Sequence, residues 1–452
     1  MLKRLASTLW GNFESKEELK KFGLLAIIFC GIIAIYWALR PMKDSIFNAL
    51  IGMEWQPMAK MLSLVVMFPI VILYSKLVDT FPRHKVFYFL TGLYGVIALV
   101  MYFCFSDATI GLTNTVKSPM RIIGWVWYVW VESFGSLMVA LFWAIVTDIT
   151  SPESAKRGFP LVALFGQVGN MVGPHFFNAK KLGFANSAPV VGIVAGLLFV
   201  IGFMFWVFMH VTPASQLKGY HPEGEKEEES EPGFFEGLKL LVTKGYLFGL
   251  FLIISIYEVI VTIFDFHFKM SVSTTFVNEA DVAAYLASYA TMTGVVSTLC
   301  VLLGINSIQR VLGMRVSLLM LPILVAAAVL LIKFNPQSLV IGFWIMVFSK
   351  AVNYALNQPT LKQLYIPTSK DAKYKAQAWI EMFGGRLSKG TGSFINTWRA
   401  PLVSQNGLID GVAKFLTLSS MISFGCIGVW LLVAVYVAKK YDAAIKEKRI
   451  VC

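Results

Sequence analysis

Apolar residues along the 452-residue chain gather in long runs separated by short polar turns. A helix rises 1.5 Å per residue, so about 20 apolar residues cross the roughly 30 Å hydrocarbon layer of a bilayer. Runs near that length recur twelve times, over 22–39, 57–78, 86–105, 122–147, 159–178, 189–211, 245–266, 283–306, 311–332, 337–357, 376–398 and 413–437. The pattern predicts an all-α polytopic membrane protein with about twelve transmembrane helices. The third, fifth and eleventh runs are the least uniform. The longest polar segment, VTPASQLKGYHPEGEKEEESEPGFFEG at 211–237, falls after the sixth run and is too poor in apolar residues to bury. The predicted organisation is a cytoplasmic lead-in at 1–21, a six-helix bundle at 22–211 and a cytoplasmic linker at 212–235. A second six-helix bundle at 236–437 and a cytoplasmic tail at 438–452 complete it.

Short internal repeats support two related halves. TDITSPESAKRGFPLVALFG at 147–166 follows the fourth run, and LYIPTSKDAKYKAQAWIEMFG at 364–384 follows the tenth. Ile149 corresponds to Ile366, Ala155 to Ala372, Lys156 to Lys373 and Phe165 to Phe383. Short basic turns also join the second to the third run and the eighth to the ninth. Two parallel six-span halves are the layout of major-facilitator transporters, in which substrate sits near mid-membrane between the halves.

Composition agrees with the pattern. The chain is 57% hydrophobic and 14% charged, against about 45–50% and 25% in soluble domains. The net charge of +13 is explained by topology. With the N-terminus placed in the cytoplasm, that side receives 25 of the 39 Lys and Arg residues and the opposite side 11, Arg40 and Lys43 among them. This is the positive-inside bias. It puts both termini in the cytoplasm and removes the reason to invoke nucleic acid. The N-terminal stretch carries Glu14, Glu17 and Glu18 and lacks a small-residue cleavage pattern, so it reads as an interfacial lead-in helix rather than a signal or transit peptide. Five scattered cysteines form no disulfide framework or CxxC pair and read as buried free thiols. No metal site and no cofactor are expected.

Charges inside the apolar runs carry the functional reading. A charge at bilayer depth costs at least about 2.5–3.5 kcal/mol, so it should face a partner or a wet cavity. Arg40, Lys43 and Asp44 share one helical face, and Pro41 should open the helix beside them. Glu132 stands among Trp125, Trp127, Tyr128 and Trp130 in the fourth run. Glu258 and Asp265 lie seven residues apart in the seventh, with His267 and Lys269 beyond. The tenth carries Lys350, Asn353 and Asn357, and the eleventh carries Glu381, Arg386 and Lys389. The bland readings are snorkelling for Arg40 and Lys43, a structural ion pair of Glu132 with Lys350, and an interfacial place for His267. Taken together, cations opposed by carboxylates suit a carrier of organic anions: ion pairs form in the empty site and substrate displaces them. Arg and Lys both bind phosphate well.

Four blocks resemble the ATP/ADP translocase family of plastids and obligate intracellular bacteria. They are LRPMKDSIF at 39–47, VESFGSLMVALFWAIVTDIT at 131–150, SAKRGFPLVALFGQVGN at 154–170 and FSKAVNYALNQPTLKQLYIPTSKDAKYKAQAWIEMFGGRLSKGTG at 348–392. Their order is kept over nearly the whole chain. The resemblance implies a major-facilitator-like fold and exchange of ATP against ADP, or import of nucleoside triphosphates. It carries the family's functional charges onto Lys43, Glu132, Asp265, Lys350 and Lys389, with Lys269 at a further lysine. The chain departs from the family at Asn353, where a lysine is usual, at Asn357, where an aspartate is usual, and at Glu258, where glycine is expected. The number of phosphates, or the cargo itself, is therefore open.

The resulting expectation is a nucleotide antiporter, not an enzyme, acting as a monomer in the bacterial inner membrane. Arg40, Lys43, Glu132, Asp265, Lys350, Asn353, Asn357, Arg386 and Lys389 are the substrate-binding candidates. Asp44, Glu258, His267 and Glu381 are the coupling or gating candidates. The alternative is proton-coupled symport of another organic anion or a nucleoside, motivated by Glu258, Asp265 and His267. A sensor or a lipid flippase has nothing in the sequence to recommend it. GRLSKGTG at 385–392 lacks the spacing of a phosphate loop, and no catalytic motif is present.

Overall fold

The structure, a computed structural model, describes residues 13–213, 216–217, 234–303, 307–369, 377–380 and 384–451. Helices dominate them. The first half holds α1 (Lys16–Leu50), α2 (Gln56–Thr80), α3 (Arg83–Ser106), α4 (Ile122–Asp148), α5 (Pro152–Phe176) and α6 (Ala188–Val211). The second half holds α7 (Phe234–Thr243), α8 (Gly245–Thr275), α9 (Glu279–Leu302), α10 (Ser307–Phe334), α11 (Leu339–Val352), α12 (Gln358–Leu364), α13 (Gly385–Thr397), α14 (Arg399–Asn406) and α15 (Leu408–Glu447).

Ten described helices are long and apolar enough to cross a membrane. The fifth expected span is α5, a 25-residue helix diluted by Gly, Pro and charge. The eleventh falls partly outside the described residues and reappears as α13. Most of the linker at 212–235 and the first twelve residues also lie outside them. From Lys16 the expected lead-in is continuous with the first span. Apolar side chains such as Val65, Phe103, Phe203 and Leu432 remain exposed and suit contact with lipid.

The chain forms two compact units. One comprises Met1–Met53, Val65–Lys226 and Thr275–Thr291; the other comprises Glu54–Leu64, Glu227–Thr274 and Met292–Cys452. The units therefore depart from a simple cut at the linker. The start of α2 belongs with the second unit, and the start of α9 with the first.

In the first unit α5 lies directly against α1. A Cβ on Gly169 would stand 2.4 Å from the Cys30 carbonyl oxygen, and one on Gly173 would stand 2.1 Å from that of Ala34. Lipid tails are as apolar as leucine, so membrane helices associate through close packing, and small residues permit it. The start of α1 is clasped as well. Ser15 caps it by accepting from the Glu18 N–H at 3.0 Å. Glu18 then accepts from Ser154 and from Arg157 at 2.9 Å. Lys21 donates to the carbonyls of Ile149 at 2.6 Å and Gln216 at 2.7 Å. Aromatic rings fill the centre, with Phe29 stacked on Phe142 at 4.8 Å and Trp127 on Trp130 at 5.2 Å.

Pro41 does not open α1. The helix runs unbroken over 35 residues, and Lys43 is buried without any unwinding. Neighbouring helices can hold a proline-bearing membrane helix together, because they re-satisfy the freed backbone groups. The cysteines also differ from expectation. Cys30, Cys104, Cys300 and Cys426 are free but half-buried, and Cys452 lies outside the described residues.

In the second unit α8 meets α13 and α15. Gly392 of α13 meets the Val259 carbonyl, where an added Cβ would stand at 2.7 Å, and Asn396 donates to the Thr262 carbonyl at 3.1 Å. Tyr257 meets Trp430 of α15 edge-on. Between α11 and α12 the chain widens into a π-helical turn, Asn353–Asn357. Pro359 follows it; a proline has no N–H for the carbonyl four residues back and crowds it with its ring. In α10, Gly313 takes φ +81°, which breaks the helix at a conformation glycine adopts freely.

Candidate functional site

The first unit contributes one ion pair. Lys43 of α1 is buried and pairs with Glu132 of α4, whose carboxylate is partly open. The Lys43 ammonium also lies 4.4 Å from the centre of the Tyr128 ring. Lys43 thus has a carboxylate and an aromatic face. Arg40, one turn earlier, packs its guanidinium over Trp37 at 4.7 Å and Tyr36 at 5.7 Å. Asp44 is buried.

The second unit gathers more charge around Asp265 of α8. Lys269, one turn along the same helix, places Nζ 2.6 Å from Oδ2. Lys350 of α11 donates to Oδ1 at 3.0 Å. Lys60 of α2 stands 3.6 Å from Oδ2. Asp265 and its three cations are all largely shielded from solvent. A buried carboxylate needs such partners, since removing charge from water costs several kcal/mol per ion. Here one anion organises three ammonium groups from three helices.

The remaining expected residues are placed as follows. Lys389 of α13 lies 3.6 Å from Glu258, one helix over on α8, and is half exposed. Asn357 donates to Asn353 at 2.9 Å within the π-helical turn, both buried. That turn breaks the simple α-helical spacing expected between Lys350 and Asn357. Arg386 is half-buried and makes no ion pair among the described residues. His267 is buried, with Nε2 3.1 Å from the Pro336 carbonyl oxygen, and is not among the groups that meet Asp265. Glu381 lies outside the described residues. Glu132 and Lys350 have other partners, Lys43 and Asp265, in place of a pair with each other.

A model of the TLC ATP/ADP transporter family matches residues 1–335 and 325–441. The chain belongs to the TLC ATP/ADP transporter family. Its relatives in that family include ADP,ATP carrier protein 1 of Rickettsia prowazekii, 26% identical over 500 residues, covering 99% of this chain and 98% of the relative. ADP,ATP carrier protein 1 of Chlamydia trachomatis is also 26% identical over 500 residues, covering 98% of this chain and 93% of the relative. A bacterial homologue of the iron transporter ferroportin, solved inward-facing, superposes with TM-score 0.65 at 10% identity. It covers 94% of this chain and all of that one. The fold is of major-facilitator type. A TLC-family chain of this kind is a multi-pass membrane transporter and not an enzyme.

Two further residues of this TLC-family transporter take part in buried polar contacts. Lys60 sits in the fourth position of the run 57–78, and a lysine inside an apolar run is the signal that points to it. Glu279 is the other. It is the first residue of α9, just ahead of the eighth run, and it is buried in the first unit. Its Oε1 accepts from the hydroxyls of Ser45 at 2.5 Å and Ser187 at 2.8 Å, and Oε2 from the Ser187 N–H at 2.8 Å. It thereby ties α9 to α1 and to the capping residue of α6. No signal in the sequence points to it. No cluster of His, Cys, Asp and Glu among the described residues has the makings of a metal site.

Proposed function

We propose that this transporter exchanges nucleotides, of the ATP/ADP type or related nucleoside phosphates, by alternating access, with the anion held by central lysines and arginines. The observation that carries the reading is the arrangement around Asp265. Lysines inside the membrane segments are pre-paired with a carboxylate that an incoming phosphate can replace. Lys43 with Glu132 supplies the corresponding pair in the first unit, and Arg40, Arg386 and Lys389 are further cations for the same anion. Asn353 and Asn357 offer neutral hydrogen bonding where the resemblance expects charge, so the preferred phosphate count is this chain's own.

The names of the relatives in Rickettsia and Chlamydia support nucleotide cargo. Alternating access of two six-helix halves, 22–211 and 236–437, is the general scheme of transporters with the fold this chain shares. The reading includes a monomer in a bacterial inner membrane with both termini cytoplasmic, as the basic loops favour. Asp44, Glu258, His267 and Glu381 take coupling or gating roles in it.

The test is counter-exchange in proteoliposomes. Labelled ATP should enter only when ADP or a related nucleotide is loaded inside. Lys43→Ala and Lys350→Ala should each abolish entry while the protein still unfolds cooperatively. Uptake driven by a pH gradient with no internal nucleotide would favour proton symport instead.

A further inference from the structure

The end of α5 and the first half of α9 border a cavity that the nucleotide reading does not use. It holds about 290 Å³ and lies wholly within the first unit. His175, Asn178, Lys180 and Lys181 line one side, and Ser288 and Thr291 line the other. His175, Lys180, Lys181 and Ser288 are exposed, so the cavity is reached from outside.

Local structure fixes both walls. Asn178 caps the end of α5: its Nδ2 donates to the carbonyls of Pro174 and His175, each at 3.2 Å, and its Oδ1 accepts from the Lys181 N–H at 3.0 Å. The turn closes where the Phe184 N–H meets the Ala179 carbonyl at 2.9 Å, with Gly183 at φ +78°. The backbones of both lysines are thus set before a ligand arrives, which lowers the ordering cost of binding. On the other wall, Ala284, Ser288 and Thr291 follow one another at one-turn spacing and share one face of α9.

No acidic residue belongs to the lining. Lys180 meets Asp281 of α9, Nζ to Oδ1 at 2.7 Å, which offsets its charge. Lys181 has no carboxylate partner among the described residues. Its ammonium meets Nε2 of His175 and lies 4.8 Å from the centre of the Phe176 ring. An ammonium only donates, so that imidazole nitrogen accepts, and the positive charge stays uncancelled. The Thr291 hydroxyl is buried and makes no hydrogen bond among the described residues. A buried polar group left so costs about 1–3 kcal/mol. An uncancelled cation beside an unspent hydroxyl calls for a negatively charged acceptor.

We propose that this cavity binds a phosphate group, held by Lys181 and Lys180 from the α5–α6 turn and by Thr291 from α9. A phosphate brings negative charge and several strong acceptor oxygens, which suit two ammonium groups and a hydroxyl. The volume stands just below the range that encloses whole small molecules, so the site takes the phosphate end of a larger one. A nucleotide in solution and a phospholipid headgroup both carry that end. The site shares no residue with the Lys43–Glu132 pair or the Asp265 cluster, and it stands independently of nucleotide exchange.

The experiment follows acylation of Lys180 and Lys181 by mass spectrometry in the full-length protein in detergent. Inorganic phosphate should slow labelling of Lys181 more than chloride does at equal ionic strength, since screening alone treats the two alike. ATP and a short-chain phosphatidylglycerol are then compared at equal concentration. Stronger protection by ATP assigns the site to nucleotides, stronger protection by the lipid assigns it to headgroups, and equal protection leaves the phosphate as the shared group. Thr291→Val keeps the shape and removes the hydroxyl; Lys181→Gln, read at Lys180, removes the uncancelled charge from an exposed position. Each should raise the phosphate concentration needed for protection roughly tenfold, the loss of one charge-assisted contact. Protection by phosphate, ATP and lipid no greater than by chloride, or protection that both substitutions leave unchanged, would overturn the proposal. Counter-exchange through Lys43 and Lys350 would stand or fall separately.

Discussion

Lys269 and Asp265, one turn apart on α8, hold each other at 2.6 Å, so the carboxylate that meets Lys350 on a separate helix is already oriented by its own. A local pair fixes the rotamer, and the long-range pair uses it. Asp265→Asn removes an anion that Lys60, Lys269 and Lys350 share among the described residues. Breaking a buried ion pair in this way costs about 3–5 kcal/mol. The variant should lose exchange and unfold at a lower temperature in detergent. Asp265→Glu keeps the charge and should retain both folding and partial exchange.

Lys43 and Glu132 should behave differently from that cluster. Lys43 is buried but Glu132 is partly open, so solvent screens this pair more than the cluster around Asp265 and its loss costs less, about 1 kcal/mol. Glu132→Gln should leave thermal unfolding nearly unchanged. Exchange should fall by tenfold or more, measured as the initial rate of counter-exchange. A variant that unfolds early but transports normally would reverse this assignment.

Glu279 is a structural tie by its geometry. Glu279→Ala strands the hydroxyl and N–H of Ser187, while the Ser45 hydroxyl keeps the Met42 carbonyl at 3.3 Å. A buried donor left without an acceptor costs about 1–3 kcal/mol. The alanine variant should therefore lower the unfolding midpoint clearly. Glu279→Gln should lie between the two, because its carbonyl can accept from the Ser187 N–H and its amide can donate to the serine hydroxyls, but the charge-assisted contacts are lost.

The close crossing of α1 and α5 makes a further prediction. A methyl group at Gly173 would collide with the Ala34 backbone, which cannot rotate aside as a side chain could. Gly173→Ala should cost about 1–3 kcal/mol through forced separation of the helices. Gly196, which has open space around it, should accept alanine with little change. Comparing folded yield and unfolding temperature of the two variants isolates the packing effect from the general cost of altering a membrane glycine.

The sequence disclosed most of the helices because hydrophobic length is a direct physical requirement of the bilayer. It disclosed Lys43, Glu132, Asp265, Lys350 and Lys389 because a charge in an apolar run stands out, and each has an oppositely charged partner in the structure. It disclosed the pairing less well. Nothing in the spacing connects residue 60 to residue 265, since tertiary packing alone brings α2 to α8. Glu279 was hidden for a different reason. It lies at a helix start, where acidic residues are ordinary, and only its burial marks it out. At Pro41 local propensity predicts a break, yet α1 continues through it.

The π-helical turn at Asn353–Asn357 bears on how this segment can vary over time. Such a turn accommodates one more residue than the α-helix around it, and each residue in an α-helix advances the chain by about 100°. Deleting a single position here would close the turn into ordinary α-helix and remove the spacing at which Asn357 donates to Asn353. The count of letters between Lys350 and Pro359 is therefore as much a part of the design as their identity, and insertions or losses in this stretch should be purged even where substitutions survive.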